Sequence, residues 1–466
     1  MKKFAISILL LGALALQAAA GNTAGGSINR DMLEQMRQAY QADPAVRALE
    51  NALAGSDINT LSRTAKARRG VDAEVSHRVP SKGITDQKRS GRCWLFTGLN
   101  VLRAQAINRH SLPGLELSQN YNFFYDQLEK ANLFLQGVID TGDRPADDRM
   151  VDWLFTNPLS DGGQFTGLAD NVSKYGVVPR SAMAESYSSE NTTRMRQLLC
   201  TKLRRDGLEL RSMVADGVKA GKLQQRKQQM LTEVYRMLAL ALGTPPTEFE
   251  WTRRDASGKV VDRRTYTPLE FYNEYWGNDL KHGYVMLMND PTRPYHKVYE
   301  IDYDRHAYDG DNWRYLNLPM DEIKAAAIAS IKDSTAMYFS CDVNKQLDSA
   351  TGSLDLDNYD YGALMGVDMG MDKRSRILSH ASASTHAMTL VGVNLDDQGQ
   401  PDAWLIENSW GPGANNGHLL ASDPWMDEYM FRLVVERKYL PEATLKLLDQ
   451  QPVMLPAWDF MFTPEE

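Results

Sequence analysis

The sequence contains three cysteines, and the one at position 93 lies among residues that could do chemistry. Cys93 stands in "QKRSGRCWLFTGLN", where a polar, basic run ends and an apolar run begins. A thiol attacks carbonyl groups as the thiolate, and the N-terminus of a helix favours that anion. The apolar pattern predicts a helix from Cys93 to about His110, ending before Pro113. Cys93 is therefore a candidate nucleophile at the start of a helix.

A thiol nucleophile also needs an imidazole that takes its proton. Of the eight histidines, His386 stands at the entrance to an apolar strand, "STHAMTLVGVN", which would fix its ring. Asn408, in "WLIENSWG", falls at the end of the next strand. An amide there would orient the imidazole without placing a negative charge beside the thiolate. Trp410 would cover the Asn–His hydrogen bond from water.

Gln87 precedes Cys93 by six residues. Its side-chain N–H and the backbone N–H of Cys93 would stabilise the oxyanion of a tetrahedral intermediate. Each candidate has a simpler explanation when it is taken alone. Cys93 could be an inert buried thiol, His386 a core histidine, Asn408 a turn residue and Trp410 a packing residue. The four polar candidates together favour cysteine-based catalysis.

Composition limits the other function classes. The chain has 60 acidic and 52 basic residues and a formal charge of −8, which makes nucleic-acid binding a poor expectation. Cys93, Cys200 and Cys341 are too few and too far apart for a disulfide framework, and the last two are predicted to be structural. No zinc spacing, EF-hand loop or phosphate-binding loop is present, so neither a metal nor a cofactor is expected.

The first twenty residues, "MKKFAISILLLGALALQAAA", have the layout of a secretory signal. Two lysines precede an apolar run that is too short for a comfortable membrane span, and small residues follow it. We therefore expect a bacterial periplasmic or secreted protein. No other run is long and apolar enough for a span, so no membrane association is expected for the mature chain.

The remaining pattern is helical first and rich in strands later, which predicts an α+β protein with two lobes. Residues 186–265 begin with charged amphipathic helices and are predicted to be a helical insertion. The predicted segments are a signal peptide at 1–20, an N-terminal helical arm at 21–65, a helical lobe with Cys93 at 66–185, the insertion at 186–265, a β-rich lobe with His386 and Asn408 at 266–455 and a C-terminal arm at 456–466.

The four candidate residues, in this order, resemble the motifs of papain-like cysteine peptidases. The local sequence is Ser90-Gly91-Arg92-Cys93-Trp94, whereas the common signature is Cys-Gly-Ser-Cys-Trp, and His386 follows Cys93 by 293 residues, about twice the usual spacing. A narrower resemblance rests on "SGRCW", "DGGQ", "KYGVVP", "CDV", "THAM", "ENSWG", "SDPWMDEY" and "AWDFM". These strings are similar to the bleomycin hydrolase / aminopeptidase C family over roughly residues 60–462.

This resemblance implies a papain-like fold with a helical lobe and a β-barrel-like lobe, assembled as a homohexamer with active sites facing an internal cavity. It implies removal of single residues from peptide N-termini through a thioester acyl-enzyme. It makes Cys93 the nucleophile, His386 the base and then acid, Asn408 the orienting residue and Gln87 the oxyanion donor. The implied substrate contacts are Gly162, Gly163, Trp410 and the terminal carboxylate of Glu466, which would hold the substrate ammonium.

The C-terminal sequence "AWDFMFTPEE" departs from that family, since Phe460 replaces a proline and the tail is bulkier and more acidic. A loose tail would leave the cleft open to internal peptide bonds. An endopeptidase is therefore the alternative interpretation, and a catalytically inactive binding or scaffold protein is a less favoured one.

Overall fold

The computed structural model describes residues 26–40, 44–81, 83–112, 114–255, 257–277 and 279–461. The chain divides into two compact units. The first comprises Met1–Ser62 and Tyr361–Val367, and its described helices are α1 (Arg30–Ala39), α2 (Pro44–Gly55), α3 (Ile58–Ser62) and α13 (Tyr361–Met365). Helices α1 and α2 bury no residue. The predicted signal peptide lies outside the described residues.

The second unit, Arg63–Asp360 and Asp368–Glu466, contains every candidate residue. Its helix α4 runs over Cys93–His110, which confirms the predicted bounds. Trp94, Leu95 and Leu99 on this helix are buried, and a helix that is buried on most faces belongs to the centre of a domain. Ser111 ends it in the left-handed conformation, with φ at 51°.

The other helices before the large sheet surround α4. Helices α9 (Thr193–Ala215) and α10 (Ala220–Leu242) pack on α5 (Gln119–Asp140). Helix α7 (Phe165–Tyr175) packs on both α4 and α5. The Ser118 hydroxyl caps α5 by accepting the Tyr121 N–H at 3.1 Å. These helices are α5 (Gln119–Asp140), α6 (Arg149–Thr156), α7 (Phe165–Tyr175), α8 (Tyr187–Glu190), α9 (Thr193–Ala215), α10 (Ala220–Leu242) and α11 (Pro268–Tyr275).

A large mixed sheet follows in the sequence. Its strands are β1 (His77–Arg78), β4 (Tyr284–Met288), β5 (Lys297–Ile301), β6 (Arg314–Asn317), β7 (Met337–Cys341), β8 (Leu347–Asp348), β9 (Ser353–Leu354), β10 (His386–Leu395), β11 (Pro401–Glu407), β12 (His418–Ser422), β13 (Met430–Glu436) and β14 (Val453–Leu455). They lie in the order β14-β5-β6-β4-β13-β7-β10-β11-β12-β9-β8, with β1 also paired to β10. Helices α12 (Met320–Lys332), α14 (Lys373–Leu378), α15 (Asp423–Tyr429) and α16 (Glu442–Lys446) lie between them in sequence. The α+β prediction is confirmed.

Part of the predicted helical insertion has a different structure. Strands β2 (Phe249–Arg254) and β3 (Val260–Tyr266) form a separate antiparallel hairpin. The Asp255 carboxylate accepts the backbone N–H groups of Ser257 and Lys259 and so closes the turn. The segment from 186 therefore contains two long helices and a hairpin.

Three apolar clusters hold this unit together, and the smallest contains Met288, Phe431 and Met461. The other two are larger. One joins α4 to the surrounding helices, and the other lies between α12, α15 and the large sheet. Strand β10 is buried along His386–Val393, because α4 and α12 pack against it. Among the described helices, none combines the length and the apolar character that crossing a bilayer requires.

Candidate active site

Cys93 is the first residue of the 18-residue helix α4. The preceding Arg92 makes no side-chain cap, and the amides of Leu95 and Phe96 both bond to the Arg92 carbonyl at 3.0 Å. The sulfur therefore lies at the positive end of a long buried helix, which favours a thiolate. The residue is only 2% exposed, yet it lines an open cleft together with His386 and Trp410. Cys93, Cys200 and Cys341 form no disulfide.

His386 is the first residue of β10 and pairs with Cys341 of β7. Its Nε2 lies 2.9 Å from Oδ1 of Asn408, the residue that follows β11. The same oxygen also accepts the Ser409 N–H at 2.8 Å, so it is fixed as an acceptor. The imidazole must therefore donate from Nε2, which leaves Nδ1 as the basic nitrogen of the neutral ring.

Burial lowers the pKa of His386 to about 4, and the hydrogen bond to Asn408 acts in the opposite direction. The ring is therefore neutral at neutral pH, which is the state that a proton acceptor requires. The Trp410 ring lies over the imidazole, with 4.8 Å between the ring centroids and 30° between the planes. Trp410 itself is 44% exposed and forms part of the cleft wall.

Gln87 also lines the cleft, and the loop from Gln87 to Cys93 fixes its amide. The Nε2 of Gln87 donates to the Ser90 carbonyl at 2.8 Å, and the Ser90 hydroxyl donates to the Gln87 carbonyl at 2.6 Å. A primary amide has a second N–H, which remains for a developing oxyanion. The expected oxyanion donors, the Gln87 side chain and the Cys93 amide, belong to one short braced loop.

Arg92 braces the same loop from its buried side. Its guanidinium is fully buried, between the rings of Phe96 and Phe123 at 5.1 and 5.2 Å. Its Nε donates to the Ser90 hydroxyl at 3.0 Å, and its Nη2 lies 2.8 Å from a carboxylate oxygen of Glu185. A buried cation with these partners fixes the residue that immediately precedes Cys93.

Asp161 supports the loop from the opposite side. Its carboxylate accepts the Gly91 N–H at 2.9 Å and the Thr192 hydroxyl, and its backbone carbonyl accepts the Trp94 indole N–H at 2.9 Å. A Cβ on Gly91 would lie 2.8 Å from an oxygen of Asp161, so this close approach requires glycine.

Backbone hydrogen bonds join the Gln87 loop to the segment that carries Asn408. The Gln87 N–H donates to the Ser409 carbonyl at 2.8 Å, and the Gly411 N–H donates to the Thr85 carbonyl at 3.0 Å. These bonds hold the expected oxyanion donor, Gln87, next to the segment of Asn408, although the two residues are more than three hundred positions apart in sequence.

Gly162 and Gly163 line a neighbouring cavity with His306, Asp304 and Ser384. The Gly162 carbonyl accepts from Lys130 Nζ at 2.5 Å, and a Cβ on Gly163 would lie 2.2 Å from the His306 ring. Their proposed contact with substrate backbone stays a prediction. Glu466 lies outside the described residues.

The sequence reasoning did not find Asp161, Glu185, Thr192 or Arg196, although all four lie on or directly behind the cleft. Thr192 and Arg196 line the cleft with Cys93, and they stand at the start of α9. The helical pattern places such polar residues on the surface of a helix, but it does not show which distant loop they contact. Asp161 had one available signal, its position directly before Gly162-Gly163.

A helix-borne thiol, an imidazole at a strand start and an orienting asparagine, on an α+β scaffold, define a papain-like cysteine peptidase. The model of the Peptidase C1-like family matches residues 27–462. Aminopeptidase C of Listeria monocytogenes is 36% identical over 92% of this chain and 97% of its own length. Human bleomycin hydrolase is 37% identical over 93% of this chain and 98% of its own length.

The crystal structure of PepW from Lactobacillus rhamnosis superposes with a TM-score of 0.90 at 36% identity, covering 94% of this chain and 99% of that one. The chain belongs to the Peptidase C1-like family. The predicted papain-like α+β fold and the predicted cysteine peptidase class are both confirmed.

Proposed function

We propose that this chain is a cysteine aminopeptidase, which removes residues one at a time from peptide N-termini through a thioester intermediate. The observation that carries the chemistry is the cleft shared by Cys93 and His386, with Nε2 of the ring bonded to Asn408 at 2.9 Å. Support for the substrate class comes from relatives named aminopeptidase C and aminopeptidase G, which are 36% and 38% identical to this chain.

Acylation begins when the Cys93 thiol gives its proton to Nδ1 of His386. The thiolate attacks the scissile carbonyl carbon, and the carbonyl oxygen gains negative charge. The Cys93 amide and the second Gln87 N–H stabilise that charge. The C–N bond then breaks, the imidazolium protonates the departing amine, and the substrate's acyl group remains on sulfur as a thioester.

Deacylation uses the same groups in reverse order. His386, now neutral, takes a proton from water, and the resulting hydroxide attacks the thioester carbon. The C–S bond breaks, the free amino acid leaves and the imidazolium returns its proton to sulfur. Asn408 holds Nε2–H throughout, so that Nδ1 faces the reacting atoms in both halves of the cycle.

The C-terminal arm supplies the group that would select a free N-terminus. Arg432 Nη2 donates to the Met461 carbonyl at 2.9 Å, and Arg293 pairs with Asp459 at 2.5 Å, so the arm is anchored up to Met461. We propose that the terminal carboxylate of Glu466 pairs with the substrate ammonium.

The test compares one peptide with a free and with an acetylated N-terminus, followed by mass spectrometry. The wild-type enzyme should shorten only the free peptide, residue by residue, and Cys93→Ala should shorten neither. Deletion of residues 463–466 should reduce the preference for the free peptide. Internal cleavage of the acetylated peptide by the wild-type enzyme would instead favour the endopeptidase alternative. Undiminished turnover by Cys93→Ala would refute the cysteine mechanism.

We further propose that the protein is exported and assembles as a homohexamer. Residues 1–20 support export, and the family resemblance supports the assembly. Sequencing of the N-terminus of the protein recovered from a bacterial periplasm should give a start near Gly21.

Light scattering on the purified protein tests the assembly. It should give six times the mass of the mature chain, and a monomer mass would refute the assembly.

A further inference from the structure

Arg196 brings a positive charge to the catalytic cleft from outside the loops that carry the catalytic groups. It lies near the start of α9 and lines the same cleft as Cys93 and His386. Its side chain is 28% exposed, so it contacts the open space of the cleft. The hydroxyl-bearing residues Thr192 and Thr193 lie beside it on the same wall.

Among the residues that the structure describes, none accepts a side-chain hydrogen bond from Arg196. Its Nε lies 3.8 Å from Oδ1 of Asp161, which is beyond hydrogen-bond distance. Asp161 is itself engaged with the Gly91 N–H and the Thr192 hydroxyl. Within the described residues, Asp161 is the only acidic residue paired with this guanidinium.

The charged residues that line the cleft are mostly basic. Lys88 and Arg89 also line it, and Asp161 is the only acidic residue among the described lining residues. Lys88 is paired with Asp86 at 2.5 Å, so its charge is largely compensated. The cleft is therefore locally basic in a chain whose overall formal charge is −8.

We propose that Arg196 binds a carboxylate of the peptide substrate, so that the enzyme prefers acidic substrates. A planar guanidinium whose N–H groups bond to none of the described residues suits a carboxylate, and the adjacent threonine hydroxyls can donate to the same oxygens. The carboxylate has two possible sources: the side chain of the residue that is removed, or the C-terminus of a short peptide. This inference rests on the proposed peptidase function.

The first experiment measures kcat/KM for glutamyl and glutaminyl p-nitroanilides with the wild-type enzyme and Arg196→Gln. If the side chain is the source, the wild-type enzyme should prefer the glutamyl substrate by about tenfold, as one partly exposed charge-assisted hydrogen bond allows. The variant should lose that preference, and rising salt should reduce it in the wild-type enzyme only. Arg194→Gln is the matched control, because Arg194 is exposed on the same helix and is not among the cleft residues.

The second arm replaces the anilides with alanyl-alanine and its C-terminal amide. If the peptide terminus is the source, the free acid should be preferred about tenfold and Arg196→Gln should remove the preference. Unchanged Glu/Gln and acid/amide ratios in Arg196→Gln would overturn the inference.

A failure of the proposed aminopeptidase function would give a different result. In that case acetylated substrates would be cleaved as well as free ones, and the Glu/Gln ratio measured on acetylated anilides would test Arg196 in the same way. Equal alkylation of Cys93 by iodoacetamide in the wild-type enzyme and in Arg196→Gln would show that the variant retains its folded active site.

Discussion

Replacing Gln87 by alanine should separate the attack of the sulfur from stabilisation of the oxyanion. The substitution removes the side-chain N–H donor but keeps the backbone hydrogen bond to Ser409, so the loop retains its main anchor. Loss of one preorganised oxyanion donor costs about 3–4 kcal/mol, or roughly 100- to 1000-fold in kcat. The substrate's ground state carries no full charge on that oxygen, so KM should change little.

The assay pairs two measurements on the same protein. Turnover of an amino-acyl anilide passes through an oxyanion, whereas alkylation of Cys93 by iodoacetamide does not. Gln87→Ala should therefore lose turnover but alkylate within about threefold of the wild-type rate. Equal losses in both measurements, or a decrease in kcat below about tenfold, would refute the assigned role of Gln87.

Gln105→Ala is the matched control for general damage to the fold. Gln105 is also a buried glutamine, at 5% exposure, and it donates to the Tyr284 hydroxyl at 2.7 Å away from the cleft. Gln105→Ala should lower the free energy of unfolding by about 1–3 kcal/mol and leave kcat near the wild-type value.

Three further predictions concern the neighbouring groups. Asn408→Ala removes the acceptor that orients His386, and that same acceptor raises the pKa of the ring. Both kcat and the alkylation rate near neutral pH should therefore fall, by up to the roughly 10²- to 10⁴-fold that a positioned general base contributes. The pKa of His386 is lower in the folded protein than in the unfolded chain, so between pH 6.5 and about 4 the unfolded chain is protonated and the folded protein is not. The free energy of unfolding therefore decreases as the pH falls through this range. His386→Gln should remove about 3 kcal/mol of that loss in urea unfolding at the two pH values. Gly163→Ala puts a Cβ 2.2 Å from the buried His306 ring, which bonds to Asp126 at 2.6 Å, and should lower stability by about 1–3 kcal/mol in the same assay.

The sequence predicted the parts of the site that follow from local pattern. Helix α4 could be placed because its apolar run begins at Cys93, and β10 because a continuous apolar segment begins at His386. Such apolar runs indicate buried helices and strands, and the candidate site residues Cys93 and His386 are the first residues of these two elements. The pairing of His386 with Asn408 was predicted from the requirement that an imidazole needs an acceptor.

The rest depends on contacts that pattern cannot specify. Asp161 reaches Gly91 because two separate loops approach each other, and Arg196 reaches the cleft because α9 packs against α5. The hairpin of β2 and β3 falls inside the predicted helical block. Its exposed strand β3 and half-buried strand β2 carry many charged residues, which weakens the alternation typical of strands.

The backbone hydrogen bond between Gln87 and Ser409 has a consequence for when the site can form during synthesis. Synthesis completes the thiol-bearing loop first, and the segment that receives the Gln87 N–H follows more than three hundred residues later. A chain that ends before β11 contains Cys93 and His386 but lacks both the Asn408 acceptor for the imidazole and the Ser409 carbonyl that receives the Gln87 N–H. The complete arrangement of Cys93, His386 and Asn408 therefore forms only after the chain has been made and folded through Ser409.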